Sequence, residues 1–132
     1  MEINVTQEQG RVPVTILQVV GKTDSSNAVE LQNKIMEVIG AGARYLVLDL
    51  SKVPYMSSAG LRVLQDVFSK LRDLSSGETD KEMYRHIAEG SFSSPNLKLL
   101  NPTKDVLEVL KMSGIDMLVS IENDLKTAVG SF

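Results

Sequence analysis

The residues best placed to do chemistry lie in VPYMSSAGLRVL (53–64), where Ser57, Ser58 and Gly60 separate an apolar run from an amphipathic one. Hydroxyls at a strand-to-helix turn sit where backbone N–H groups point outward and negative charge is favoured. Two chemistries suit that place. A serine can cap the helix, worth about 1 kcal/mol, or it can carry a charge that is added and removed, because the same N–H groups would receive a phosphate without unfolding the domain. Gly60 keeps side-chain bulk out of the first turn. The tip also lies at the carboxyl end of a strand, where open α/β sheets present their functional surfaces.

Other chemistries find little support. The single histidine, His86, has no second histidine to share a ligand with and reads as a solvated loop residue. Gly40, Gly42 and Gly60 do not form a phosphate-cradling glycine motif, and Ser58 does not stand in the G-x-S-x-G of hydrolases. Asp24 and Asp49 read as a turn cap and a strand end rather than as a catalytic pair. The expectation is a binding module and not an enzyme, with no cofactor and no metal.

A chain of 132 residues can bury one core but not two, so residues 1–132 are expected to form a single domain. The net charge of −3 gives no electrostatic reason to expect nucleic acid or an anionic membrane, which leaves proteins as the expected partners. Without cysteine there is no disulfide framework and no thiolate site, so a reducing compartment is permitted and the cytoplasm is expected. No basic leader precedes an apolar core, and no apolar run approaches the roughly 20 residues of a membrane helix, so membrane insertion is not expected.

The elements that position the serines follow from periodicity. INVTQEQ and VPVTILQVVG alternate apolar and polar residues around Gln9-Gly10-Arg11, predicting a hairpin. Ala28, Leu31, Ile35, Val38 and Ile39 share one helical face, preceded by serines that could cap it and ended by Gly40 and Gly42. RYLVLDL is apolar almost throughout and predicts a central strand covered on both faces. Leu61, Leu64, Val67, Phe68, Leu71 and Leu74 predict a helix from 58 to about 74. LKLL (97–100) predicts a short strand, and Asn101-Pro102 an N-cap with proline at the first helical position. MLVSI predicts a last strand, and Asn123-Asp124 opens a final short helix. The fold class is α/β, a mixed sheet with helices packed on it in the order ββαβαβαβα. Residues 75–96 interrupt this order with serine- and glycine-rich flanks and predict a mobile insertion, with at most one or two helical turns across KEMYRHIAE.

GKTD (21–24), YLVLDLSKVPYMSSAGLRVL (45–64) and LLNPTKDVLEVLKMSGID (99–116) together resemble the STAS domain, and specifically the bacterial anti-sigma factor antagonists. The resemblance runs through nearly the whole chain except residues 75–96. It implies a serine at the start of the second helix that an anti-sigma factor serine kinase phosphorylates and a serine phosphatase restores, the unphosphorylated form binding the anti-sigma factor and freeing the sigma factor. The family's common motif is aspartate, serine, serine or threonine, glycine, leucine. Aligning Gly60 and Leu61 with its end places Ser58 on the phosphorylated serine, Ala59 on the following hydroxyl residue, and Ser57 on the aspartate. GKTD places Asp24 on an acidic residue near the switch, a contact for the kinase. Asp24, Ser57, Ser58, Ala59 and Gly60 are the partner-binding residues so implied. Replacing aspartate with Ser57 removes a charge that would help cap the helix and orient the partner. Two alternatives stay open: a STAS subunit of another assembly, such as a lipid-transport complex or a stressosome-like scaffold, and a sensor binding a nucleotide or other anion at the start of the second helix.

Overall fold

A computed structural model describes residues 1–75 and 79–132. Strands β1 (Glu2–Gln9) and β2 (Pro13–Val20) form an antiparallel hairpin that pairs Glu2 with Val20 and Gln9 with Pro13. From β2 the sheet continues in parallel through β3 (Leu46–Lys52), β4 (Leu97–Leu100) and β5 (Ser120–Glu122), in the spatial order β1-β2-β3-β4-β5. β3 is therefore central, as its nearly unbroken apolar run requires.

Period-two alternation divides the core between the two faces. Leu46, Leu48 and Leu50 of β3 join Leu17, Val19, Leu97 and Leu99 beneath α1 (Ala28–Gly40) and α2 (Ser58–Leu74). Val47 turns the other way and packs with Val14, Ile16 and Leu100 under the short α5 (Leu125–Gly130). On α2, Val63, Leu64, Val67, Phe68 and Leu71 are buried. Each fully buried leucine contributes about 1.5–3 kcal/mol of transfer free energy, so the stripe anchors the helix that carries the serines. Val106 and Leu110 of α4 (Lys104–Ser113) extend the larger core.

The order ββαβαβαβα holds, with four local corrections. The segment read as a mobile insertion contains a nine-residue helix, α3 (Asp80–Ala88). Thr79 caps it, Met83 is buried in the main core, and Arg72 of α2 pairs with Asp80. Phe92, just beyond, meets the Phe68 ring edge-on with centroids 6.0 Å apart. Residues 76–78 of that insertion lie outside the described residues. Second, α4 starts at Lys104 rather than at Pro102, because Asn101 takes a left-handed φ of 49° and Thr103 supplies the cap, accepting from the Val106 N–H at 3.4 Å. Third, the serines before α1 do not cap it. Asn27 is the cap residue without a side-chain cap bond, and Ser26 instead donates through its N–H and hydroxyl to Asp24. Fourth, Gly114 in the left-handed conformation leads into a 3₁₀ turn at Ile115–Met117, which shortens the last strand to Ser120–Glu122.

Candidate functional site

The carboxyl ends of three neighbouring parallel strands build the site. Beyond β2 and β3 the two chains stay paired: the Gly21 N–H donates to the Lys52 carbonyl at 2.9 Å, and an isolated parallel bridge joins Thr23 to Met56. The Thr23 N–H donates to the Tyr55 carbonyl, and the Thr23 carbonyl accepts from the Ser57 N–H, both at 2.9 Å. From beyond β4, the Thr103 hydroxyl donates to the Val53 carbonyl at 2.9 Å. Residues 53–57 are thus fixed from both sides, and the start of α2 is aimed by backbone hydrogen bonds rather than by a loose loop.

The two serines take different tasks. Ser57 is extended, and its Oγ accepts from the Ala59 N–H at 3.2 Å, so it is the N-cap. Serine in place of the aspartate that the resemblance implies therefore leaves the site one charge fewer but still capped. Ser58 is the first residue of α2, is exposed, and makes no side-chain hydrogen bond among the described residues. Ala59 packs half-buried against the core. Gly60 is buried, and a Cβ there would lie 2.7 Å from Met56 Cγ and 2.9 Å from Thr23 Cγ2. Glycine is needed because the first turn rests directly on the Thr23–Met56 bridge. Thr23 is fully buried, and its Oγ1 finds no partner among the described residues.

Asp24 follows Thr23, one residue from the carbonyl that holds Ser57. The Ser26 hydroxyl, then the Ser26 N–H, then Lys22 at 3.8 Å hold its carboxyl below the usual range. It remains a carboxylate at the edge of the site. Asp49 points to the α5 side of the sheet, where it accepts from Gln18 Nε2 at 3.4 Å, and does not meet Asp24.

Between α1 and α2 runs an open groove of about 660 Å³. Ser58 and Ala59 line it, whereas Asp24, Ser57 and Gly60 lie outside it. Val29, 69% exposed, supplies apolar surface, and Arg62 is the one charged residue of the lining. A second concavity of about 380 Å³, around Thr15, Ala43 and Tyr45, holds none of the predicted site residues. Thr23, Thr103 and Arg62 have roles that the sequence did not disclose. The first two act through bonds to residues distant in the chain, and Arg62 passes in sequence for an ordinary solvated position.

Comparison with known proteins agrees with this architecture. The family model of the STAS domain matches residues 4–76. BtrV of Bordetella bronchiseptica, described as a proposed anti-sigma factor antagonist, is 36% identical over 69 residues, covering 52% of this chain and 60% of BtrV. The chain thus matches less than two thirds of that curated relative. An anti-sigma factor antagonist from Mycobacterium paratuberculosis superposes with a TM-score of 0.70 at 21% identity, covering 97% of this chain and 92% of the other. The anti-sigma factor antagonist SpoIIAA shares the fold in its unphosphorylated form, with TM-score 0.65, 16% identity and coverage of 96% and 93%. The phosphorylated form from Bacillus does so with TM-score 0.63, 15% identity and coverage of 97% and 96%. A five-stranded mixed sheet with helices on both faces and a serine-bearing turn beyond its central strand defines the class, and this chain belongs to the STAS domain family. Among the described residues no helix is long and apolar enough to cross a membrane.

Proposed function

We propose that this protein is an anti-sigma factor antagonist: a binding module, not a catalyst, that is switched by phosphorylation of Ser58. Its partners are an anti-sigma factor that is also a serine kinase, and a serine phosphatase that resets the switch. The family and the likeness to BtrV support the general role. The division of labour between the serines carries the assignment of the site. Ser57 is committed to capping, while the Ser58 hydroxyl is exposed at the first position of α2. A phosphate of about −2 charge there would stand at the positive end of the helix dipole, so the domain would remain folded and the change would be felt by whatever docks. Like-charge repulsion and the cost of desolvating the added anion at the interface would then weaken binding.

Incubation with ATP and the kinase candidate, followed by intact-mass analysis and phosphopeptide mapping, tests the proposal. One phosphate on Ser58, lost in Ser58→Ala, is expected. Ser58→Asp should bind the anti-sigma factor more weakly than Ser58→Ala in calorimetric titration. Phosphate on Ser57 alone, or none from a kinase active on a control substrate, would overturn the assignment.

A further inference from the structure

Arg62 follows Ser58 by four residues on α2, and the two side chains line the same groove. Residues at that spacing are neighbours on a helix surface, and an anion placed N-terminal to a cation is the favoured orientation. Around them the groove is otherwise uncharged: Val29, Gln32, Leu61 and Gln65 contribute apolar and amide surface. Arg62 is exposed and makes no ion pair or hydrogen bond among the described residues, including with Asp66, its only acidic neighbour four residues away on α2. An unengaged guanidinium thus stands one turn from an unengaged hydroxyl. Its planar fork suits two phosphate oxygens, which a lysine ammonium would meet only as a point charge.

We infer that Arg62 is the intramolecular counter-ion of phosphorylated Ser58, swinging along the α2 surface to hold the phosphate within the α1–α2 groove. The inference rests on the proposed modification of Ser58 and adds a second component to the switch. Phosphorylation places an anion at the helix start and also engages the one cation of the groove. The groove then passes from a formal charge of +1, from Arg62 alone, to about −1 once a phosphate of about −2 is present. Arg62 is a positioning residue in this scheme. It forms no bond to a reacting atom.

The test does not depend on any kinase. Phosphoserine is installed at position 58 by genetic encoding, and its ³¹P resonance is titrated with pH in the otherwise wild-type chain and in Arg62→Gln and Arg62→Lys variants. The second phosphate ionisation, ordinarily near pH 6, should lie lower with Arg62 in place than in the Arg62→Gln variant by about 0.3 of a pH unit, the size of an exposed i,i+4 pair. Arg62→Lys should recover much of the difference, and about 1 M NaCl should abolish it. Identical titration of the wild-type and Arg62→Gln chains at low salt would overturn the inference while leaving Ser58 phosphorylation standing. A difference that persists undiminished at high salt would overturn it as well, because an exposed ion pair is screened. Failure of the kinase to modify Ser58 would instead strike the proposed function and leave the Arg62 titration intact.

Discussion

Gly60→Ala sets two well-measured effects against each other. Gly60 is inside a helix, has no left-handed φ, and would by propensity alone gain about 1 kcal/mol on becoming alanine. Opposing this, the new Cβ would sit 2.7 Å from Met56 Cγ and 2.9 Å from Thr23 Cγ2, well inside the roughly 3.5–4.0 Å of an ordinary carbon contact. Neither neighbour can easily yield. Thr23 is β-branched, fully buried and tied by its N–H and carbonyl to Tyr55 and Ser57, and Met56 is 2% exposed. Overpacking typically costs about 1–3 kcal/mol, and with both contacts under 3.0 Å the upper part of that range, about 2–3 kcal/mol, applies. After the propensity gain of about 1 kcal/mol the net loss should be about 1–2 kcal/mol, or some 3–7 °C in a chain of this size. Urea denaturation should show a lower midpoint with an unchanged slope. Gly40→Ala is the control, since nothing lies within 4 Å of its new Cβ and the residue ends α1. That variant should be neutral or slightly stabilised. A Gly60→Ala protein as stable as wild type would show that the first turn of α2 is not wedged on the Thr23–Met56 bridge.

Ser57→Ala should cost about 1 kcal/mol in urea denaturation by orphaning the Ala59 N–H, and Ser57→Asp should restore it by capping and by opposing the dipole. An unchanged midpoint in the alanine variant would remove Ser57 from the cap. Met83→Ala should lower stability by about 2 kcal/mol or more, because the side chain is buried in the main core. No loss in thermal or urea melts would restore the expectation of a mobile insertion.

Where a structural decision is local, the sequence carried it. The apolar stripe of α2 marked its span of 58–74, and the unbroken apolar run of β3 marked a central strand. The serine-bearing turn at the start of α2 was legible because serines, glycine and a strand end lie together within a dozen residues. Decisions settled by distant partners were not. The start of α4 depends on the Thr103 hydroxyl reaching Val53, fifty positions away in the chain, which overrode a local Asn-Pro signal. α3 was hidden by its serine- and glycine-rich flanks, since its order depends on Met83 entering the core and Asp80 reaching Arg72. Nor could the sequence distinguish which serine caps the helix. That depends on Ser57 holding an extended conformation, which the carbonyl of Thr23 enforces.

This last geometry gives two chemically identical side chains different surroundings. At Ser57 the oxygen already directs lone-pair density toward the Ala59 N–H, so an electrophile must compete with a bond that holds the helix together. At Ser58 the oxygen has no such commitment among the described residues and faces open solvent. Under the proposed modification, a kinase would meet two serines that differ in engagement as well as in neighbouring sequence. The helix start leaves one hydroxyl engaged and the other not among the described residues, and that difference persists only as long as the backbone bond from Ser57 to Thr23 does.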